Sequence, residues 1–343
     1  MAEQNEKLHI VVFPWLAFGH MGPFFELAKL IAQKGHKISF VSTPRNIHRL
    51  PKVPENLQPL VDLIELPLPR VDKLPENAEA TVDIPHHLIP HLKQAFDGLE
   101  QPLTIASALY YFLLDHYTSK ARVSAQNKGF PDEHYETNES GVSDVFRVLE
   151  TTNSAQASAI RTCMEIEAAS LKLLESIYSK PMIPVGLLPP SLEFSEDSND
   201  ENWDTILKWL DKQEKGSVVY VAFGSEVRLS DEDFTEITKG IEMSGFPFFW
   251  VLKKQNTSNV ELQDLVVNNS GTGLVWRTWA PQMRILAHKS VGGFLTHCGW
   301  SSVNESLLVG CPLVMLPFQN DQFIVAKLME EKRVGTRNCT KSI

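Results

Sequence analysis

A short turn in the C-terminal half of the chain carries residue types that bind phosphate. The sequence HCGW begins at His297, follows the apolar run 291–296 and precedes a helical pattern that starts at Ser301 or Ser302. The backbone amides and the positive end of such a helix attract anions. Gly299 would let the backbone approach a phosphate closely, and His297 would add a hydrogen-bond donor or a positive charge. The turn is therefore predicted to hold a phosphate group.

Other side chains near this turn fit a nucleotide that carries a polyhydroxylated appendage. Glu305 lies one turn into the predicted helix, where a carboxylate could accept hydrogen bonds from both hydroxyls of a ribose. Trp279 follows a strand and offers a flat face on which a base could stack, although tryptophan is also a common core residue. Asp321 and Gln322 follow another strand, at the sheet edge where ligands of open α/β sheets bind.

His20 is the candidate for acid–base chemistry in the N-terminal half. It stands in the sequence AFGHMGP, between the first predicted strand and a predicted helix. An imidazole within hydrogen-bond reach can take the proton of a hydroxyl that attacks as a nucleophile. A histidine after a strand is more often structural, so the strand–turn–helix position is what favours the catalytic interpretation.

Apolar strands and helical patterns alternate in both halves of the chain. In the N-terminal half, a strand at 8–15, a helix from Pro23 to Lys34 and a strand at 36–43 predict a parallel sheet. In the C-terminal half, Ser230 is predicted to cap a helix. The other elements predicted there are strands at 217–223, 246–253, 274–276, 291–296 and 313–317, and helices near 282–288, 302–309 and 321–332. An acidic linker at 191–205 would separate domains at 1–190 and 206–343.

Four segments resemble plant family 1 UDP-glycosyltransferases, and in particular the branch that extends flavonoid or terpenoid glycosides. They are WAPQMRILAHKSVGGFLTHCGWSSVNESLLVGCPLVMLPFQNDQ at 279–322, PWLAFGHMGPFFELA, MIPVGLLPP and SVVYVAFGSE. The resemblance implies the GT-B fold, an α/β architecture of two Rossmann-like, doubly wound domains that face each other across a cleft. It also implies that both domains are shortened, because the usual family elements are missing after Ile105 and beyond RVGTRNCTKSI.

By this resemblance, the C-terminal domain binds a UDP-sugar. Trp279 would stack on uracil, Gln282 would help to hold the base and ribose, and Glu305 would bind the ribose hydroxyls. The residues implied for the diphosphate are Ser225, His297, Gly299 and Ser302. The sugar would contact Trp300, Asp321 and Gln322, and the site would also include Ala280 and Ser301. Ser301 departs from the family, which more often has Asn at this position.

The resemblance further implies an inverting transfer with His20 as the general base. The family orients this base with an Asp, and Asp115 is the comparable residue here. No cofactor and no metal are expected, because the UDP-sugar is a co-substrate. Gln322 favours glucose, while the branch also contains rhamnose users. The expected acceptor is a hydroxyl of a small plant metabolite, such as a flavonoid or terpenoid glycoside.

Two alternatives differ from this interpretation. The first is a remnant that binds UDP-sugars but is impaired in transfer, since shortened domains could lose turnover. The second is a dinucleotide oxidoreductase. It is excluded because GHMG is not the G-x-G-x-x-G motif and no acidic residue ends the second strand at Thr43.

Composition limits the remaining functional classes. The 343 residues carry a net charge of −10, which argues against nucleic-acid binding. Four scattered cysteines indicate a reducing compartment. With no signal-peptide pattern or long apolar run, we expect a cytoplasmic protein without membrane insertion, acting as a monomer. The histidines of the segment DIPHHLIPH, namely His86, His87 and His91, lack partners spaced for a metal site and are expected to be solvated or to line the acceptor site.

Overall fold

The computed structural model describes residues 7–99, 141, 143, 146, 157–190, 201–224, 227–252, 273–319 and 321–337. It divides into two compact units, Met1–Leu188 and Pro189–Ile343. Asp115, Ser225 and residues 191–200 of the predicted linker lie outside the described residues. Residues 201–205, which the sequence assigns to the linker, belong to a helix.

The described residues of the N-terminal unit form two small parallel sheets. The first has strands in the order β1-β2-β3 and the second pairs β4 with β5. Its strands are β1 His9–Val12, β2 Lys37–Ser42, β3 Val61–Glu65, β4 Ser158–Ile160 and β5 Met182–Pro184. The helices among its described residues are α1 Phe18–Gln33, α2 Pro44–Arg49, α3 Ile89–Asp97 and α4 Met164–Tyr178, with short 3-10 helices at Thr81–Asp83 and His86–Leu88. The apolar faces of α1 and β2 meet in the core, where Phe25 and Phe40 contact edge to face.

Helix α1 begins earlier than its sequence pattern predicts. The sequence places the start at Pro23, whereas the helix begins at Phe18 and Pro23 lies inside it. Ala17 has extended backbone angles, and its carbonyl oxygen accepts hydrogen bonds from the amides of His20 and Met21, both at 2.9 Å. The prediction was wrong because a backbone conformation, not a polar side chain, starts this helix. His20 consequently lies in the first turn of α1 instead of the preceding loop.

In the C-terminal unit, the part of the chain that the structure describes forms a six-stranded parallel sheet with helices between its strands. Its strands are β6 Val218–Ala222, β7 Phe248–Val251, β8 Gly273–Trp276, β9 Val291–Thr296, β10 Leu313–Met315 and β11 Gly335–Arg337. Its helices are α5 Glu201–Leu210, α6 Asp231–Ser244, α7 Gln282–Leu286, α8 Trp300–Val309 and α9 Gln322–Glu331. The strand order is β11-β10-β9-β6-β7-β8. Read from the other edge, this is the doubly wound order 3-2-1-4-5-6, which confirms the predicted fold class for this unit.

Most elements of this unit follow the sequence prediction closely. The strand at 291–296 has the predicted bounds. Ser230 caps α6, with its hydroxyl oxygen accepting a hydrogen bond from the amide of Asp233 at 3.0 Å. Helix α8 begins at Trp300, slightly before the predicted Ser301 or Ser302. Within the described residues, no helix combines the length and the apolar character that crossing a membrane requires.

Candidate functional site

The candidate site of the C-terminal unit lies where the strand order of its sheet reverses. Strands β6 and β9 are neighbours, and their last residues, Ala222 and Thr296, are paired. The chain leaves the two strands at the same sheet edge and continues into different helices. A crevice forms at such a reversal, and ligands of open α/β sheets bind there. The topology therefore brings the turn after β6 and the turn HCGW after β9 to one place.

The imidazole of His297 fills the space between these two turns. A Cβ atom built on Gly224 would lie 2.7 Å from Nε2 of His297, and one on Gly299 would lie 2.5 Å from the same atom. Gly224 also has a φ of 72°, a backbone angle that residues other than glycine rarely adopt. A Cβ atom at either position would therefore displace the ring of His297. Gly224 was not among the predicted site residues, and the glycine directly after strand β6 in SVVYVAFGSE was the signal that could have identified it.

His297 is neutral at neutral pH. Burial lowers its pKa to about 4, and the negative charge of Asp321 and a hydrogen bond with the backbone of Ala222 oppose this shift only in part. The sequence left open whether this histidine supplies a donor or a positive charge. Its surroundings favour a neutral ring that acts through hydrogen bonds.

The turn itself presents the start of α8. Cys298 has a left-handed φ of 68°, and its amide donates a hydrogen bond to Oγ1 of Thr296 at 3.3 Å. Gly299 is the N-cap residue of α8 and supplies no capping side chain. The positive end of this ten-residue helix therefore faces the crevice without a side chain of its own N-cap over it. This is the arrangement predicted for a phosphate-binding turn.

A hydrogen-bonded group lies beside the turn and orients the carboxylate of Glu305. The amide nitrogen of Gln282 donates to Oε2 of Glu305 at 2.8 Å and contacts Oγ of Ser302 at 3.3 Å. The hydroxyl of Tyr220 donates to Oε1 of Gln282 at 3.2 Å. The structure thus joins three predicted site residues into one group and adds Tyr220, whose part in it the sequence did not indicate.

Trp279 is the most exposed of the candidate site residues that the structure describes. The residue is 67% exposed, and its carbonyl oxygen accepts a hydrogen bond from Nε1 of Trp276 at 3.1 Å. Trp276 in turn stacks on the buried ring of Phe249. An exposed indole on a backbone held in this way can accept a stacked base. Ala280, the next predicted residue, is buried.

The residues predicted to contact the sugar differ in how much surface they offer. The side-chain oxygen of Gln322 accepts hydrogen bonds from the amides of Phe318 and Gln319, at 2.9 and 3.0 Å. Its amide nitrogen is the remaining donor, although Gln322 as a whole is only 6% exposed. Asp321 is the N-cap residue of α9 and is partly exposed, whereas Trp300 is only 6% exposed. Ser301 is partly exposed and Ser302 is buried.

In the N-terminal unit, the half-buried His20 follows a loop held by a network of charges. Both terminal guanidinium nitrogens of Arg49, Nη2 and Nη1, donate to the carboxylate of Asp83, at 2.6 and 3.1 Å. Burial raises the pKa of Asp83, but hydrogen bonds from Arg49 and the backbone of Glu79 outweigh it and leave the pKa below its ordinary value. Beside Asp83, the amide of Thr81 donates to the carbonyl of Leu16 at 2.9 Å. The network therefore connects to the chain just before α1.

Aromatic side chains surround this loop. The rings of Phe13 and Phe96 stack at 4.7 Å, and Trp15 meets Phe96 edge to face at 5.1 Å. Phe18 is exposed, with the guanidinium of Arg49 5.7 Å from its ring centre. Phe13 and Trp15 therefore pack against Phe96, whereas the ring of Phe18 remains exposed.

The three histidines near α3 have different environments. His86 and His87 are exposed, whereas His91 is buried. Across the described residues, no group of three His, Cys, Asp or Glu side chains is arranged to hold a metal ion.

Comparison with known proteins identifies relatives over nearly the whole chain. The sequence profile of the family described as UDP-glucoronosyl and UDP-glucosyl transferase matches residues 143–342. The chain is 40% identical over 394 aligned positions to UDP-glycosyltransferase 91A1 of Arabidopsis thaliana, covering 96% of this chain and 84% of that protein. It is 36% identical to Soyasaponin III rhamnosyltransferase of Glycine max, covering 97% of this chain and 84% of that protein.

A solved structure agrees with the fold. The crystal structure of Arabidopsis thaliana UGT89C1 complexed with UDP-L-rhamnose superposes with a TM-score of 0.77 at 25% identity. The match covers 97% of this chain and 86% of that one.

Proposed function

Since this chain belongs to the UDP-glucoronosyl and UDP-glucosyl transferase family, we propose that it transfers glucose or rhamnose from a UDP-sugar to a flavonoid or terpenoid glycoside. Membership of the family makes the chain a UDP-sugar-dependent glycosyltransferase of plant family 1, with the GT-B fold, that acts on small metabolites. The sugar, the acceptor and the site residues are the parts that we propose.

The observation that carries the donor assignment is the group of functional side chains at the reversal between β6 and β9. The positive end of α8 and the neutral ring of His297 would bind the diphosphate. Glu305, held by Gln282, would accept hydrogen bonds from the ribose. The exposed ring of Trp279 would stack on the uracil. Together these groups match each part of a uridine diphosphate.

The proposed reaction is a single displacement with inversion. The acceptor oxygen attacks the anomeric carbon of the sugar, and the bond from that carbon to the β-phosphate oxygen breaks. His20 takes the proton of the acceptor hydroxyl, and Asp115 is the residue proposed to orient the imidazole. UDP leaves with the bonding electron pair. The positive end of α8 and a donated hydrogen bond from His297 would stabilise the charge that develops on the leaving phosphate.

Two observations bear on the identity of the sugar. A relative at 36% identity is named as a rhamnosyltransferase, and the superposed crystal structure holds UDP-L-rhamnose. Gln322, by the family resemblance, favours glucose. We therefore propose that the donor is UDP-glucose or UDP-rhamnose, with the amide nitrogen of Gln322 and the carboxylate of Asp321 binding the sugar hydroxyls.

A second candidate function is UDP-sugar binding with impaired transfer. The alignment with the Arabidopsis relative extends over 394 positions, more than the 343 residues of this chain, so that relative has segments with no counterpart here. Lost segments would remove parts of an acceptor site or of the group that orients His20. The donor site would still bind UDP under this alternative.

One experiment separates the two candidates. Purified protein, shown to be folded by circular dichroism, is incubated with UDP-glucose or UDP-rhamnose and a panel of flavonoid and terpenoid glycosides, and products are read by mass spectrometry. A product heavier by one hexose or one deoxyhexose supports transfer. UDP binding without product for any pair supports the impaired remnant, and absence of UDP binding contradicts both.

The expected cellular setting follows from the sequence alone. The four scattered cysteines and the acidic net charge of −10 support action in the cytoplasm, without nucleic acid as a partner. We further propose that the protein acts as a monomer, to be tested by light scattering of the purified chain.

A further inference from the structure

The buried hydroxyl of Tyr220 contacts the candidate donor site through one intermediary. Tyr220 lies on β6 and is only 1% exposed, so its ring cannot reach a ligand in the crevice. The ring packs near Phe249 and Phe294, with ring centres at 6.1 and 4.9 Å. Its hydroxyl donates to Oε1 of Gln282, a residue far along the chain that lies at the start of α7.

The carboxylate of Glu305 decides how the amide of Gln282 is turned. A carboxylate only accepts hydrogen bonds, so the amide presents its nitrogen to Oε2 of Glu305, at 2.8 Å. Its oxygen then points toward Tyr220. Burial and the nearby charge of Glu305 raise the pKa of Tyr220, so the phenol stays protonated and donates to this oxygen at 3.2 Å.

We propose that Tyr220 is a positioning residue that aims the carboxylate of Glu305 at the ribose hydroxyls by fixing the amide of Gln282. The inference rests on the proposed function, in which Glu305 binds the ribose. A hydrogen bond between an amide and a carboxylate is stronger than one between neutral groups, and it limits the rotation of the carboxylate. Without the phenol, the amide of Gln282 loses the bond that holds its oxygen and keeps only those of its nitrogen, to Glu305 and Ser302, so Glu305 loses part of its fixed direction.

The test compares the binding of UDP with that of 2′-deoxyuridine diphosphate by isothermal titration calorimetry. A ribose hydroxyl that donates to a carboxylate makes a charge-assisted bond, so the wild-type protein should bind UDP at least ~10-fold more tightly than the deoxy analogue. In Tyr220→Phe, UDP binding should weaken ~5-fold, while binding of the analogue changes less. The dissociation constant of the deoxy analogue divided by that of UDP should therefore fall to about half of its wild-type value or lower.

Two controls separate positioning from a general loss of stability. Ser306→Ala removes another buried hydroxyl of this unit, one that donates to the carbonyl of Cys311 at 2.7 Å. It should leave the ratio of dissociation constants at the wild-type value. In a Gln282→Met background, Tyr220→Phe should have no further effect on the ratio, because the intermediary is gone.

The results distinguish the inference from the function on which it rests. If the wild-type protein does not bind UDP, both fail. If it binds UDP, and Tyr220→Phe keeps the wild-type ratio or Ser306→Ala lowers it equally, the positioning role alone is refuted. Should Tyr220→Phe not fold, 3-fluorotyrosine at this position provides a second test that keeps the hydroxyl. Its ¹⁹F signal should shift more on addition of UDP than of the deoxy analogue, and equal shifts would refute the role.

Discussion

Gly224 leaves the space that the imidazole of His297 occupies, since a Cβ atom on Gly224 would lie 2.7 Å from Nε2 of the histidine. The two residues follow different strands, β6 and β9, and meet because these strands are adjacent in the sheet. In the diphosphate site that we propose, the ring of His297 thus occupies space that is open only because Gly224 has no side chain. One added methyl group at Gly224 should therefore disturb the site.

Gly224→Ala is expected to weaken UDP binding by at least ~10-fold, because the added methyl group displaces the ring of His297 from the turn. The control is Gly245→Ala, at a glycine with a similar φ of 67° but with no atom within 4 Å of the added Cβ. Both variants should lose ~1 kcal/mol of stability from the left-handed backbone, but only Gly224→Ala should lose UDP affinity. Calorimetric titration with UDP measures the difference, and equal affinities in the two variants would contradict the contact.

The pKa of His297 predicts a dependence of stability on pH. Its folded value of about 4 lies below the ordinary value of 6.5, so the unfolded chain binds a proton in this range that the folded protein does not. Stability should therefore fall as the pH is lowered from 6.5 to about 4, and this contribution should be constant above 6.5. When urea unfolding is measured across this pH range, the free energy of unfolding should change less with pH in His297→Gln than in the wild type.

NMR titration of the imidazole provides an independent check. Because the charge of Asp321 raises the pKa of His297, Asp321→Asn should lower it further. A wild-type ring that titrates near 6.5 would refute the assignment of a neutral, buried imidazole.

Trp279→Ala is expected to abolish the quenching of tryptophan fluorescence by UDP and to weaken UDP binding by about tenfold or more, since base stacking on an aromatic ring contributes ~1–3 kcal/mol. The side chain is 67% exposed, so the fold should be unaffected. Phe246→Ala, at an aromatic residue of the same unit that is 57% exposed, serves as the control and should bind UDP as the wild type does. Unchanged quenching in Trp279→Ala would remove the stacking assignment.

His20→Ala is expected to reduce acceptor-dependent release of UDP by ~10²–10⁴-fold, the usual contribution of a general base. UDP binding should be retained, because the donor groups lie in the C-terminal unit. A coupled assay of UDP release, run with the acceptor found in the product screen, measures the rate. Equal rates in the variant and the wild type would exclude His20 as the base.

Asp83→Asn should destabilise the N-terminal unit by ~2 kcal/mol, because the side chain is 8% exposed and its removal leaves the charge of Arg49 without its bidentate partner. The lowered pKa of Asp83 also makes its contribution to stability depend on pH. The contribution is fully present above pH 3.8 and is lost as the pH falls through the lower pKa of the folded protein. Thermal unfolding at pH 7 should show the loss.

The control for Asp83 is an ion pair of the same unit that is open to solvent. Lys37 and Asp62 are 3.2 Å apart, and each side chain is 50% exposed. Asp62→Asn should change stability by less than ~0.5 kcal/mol. A similar loss in both variants would show that burial of Asp83 is not what makes its pair important.

The sequence by itself determined most elements of the C-terminal unit, but not helix α5 or strand β11. The strand at 291–296, the cap at Ser230 and the turn at His297 depend on local apolar periodicity, on a capping hydroxyl and on a glycine, all of which can be read along a few residues. Helix α1 marks the limit of this reasoning. Its start depends on the extended backbone of Ala17, which no polar side chain announces, and it shifts His20 into the helix.

Only the tertiary structure decided which of these elements meet. The contact of Gly224 with His297 and the hydrogen bond from Tyr220 to Gln282 both require that β6 lies next to β9 and that α7 packs against this edge. Strand order and side-chain burial result from packing between distant segments, and they set the neutrality of His297 and the direction of the Gln282 amide. Neither strand order nor side-chain burial can be read from a linear pattern of residue types, because the free energy of burial depends on neighbours that the fold alone brings together.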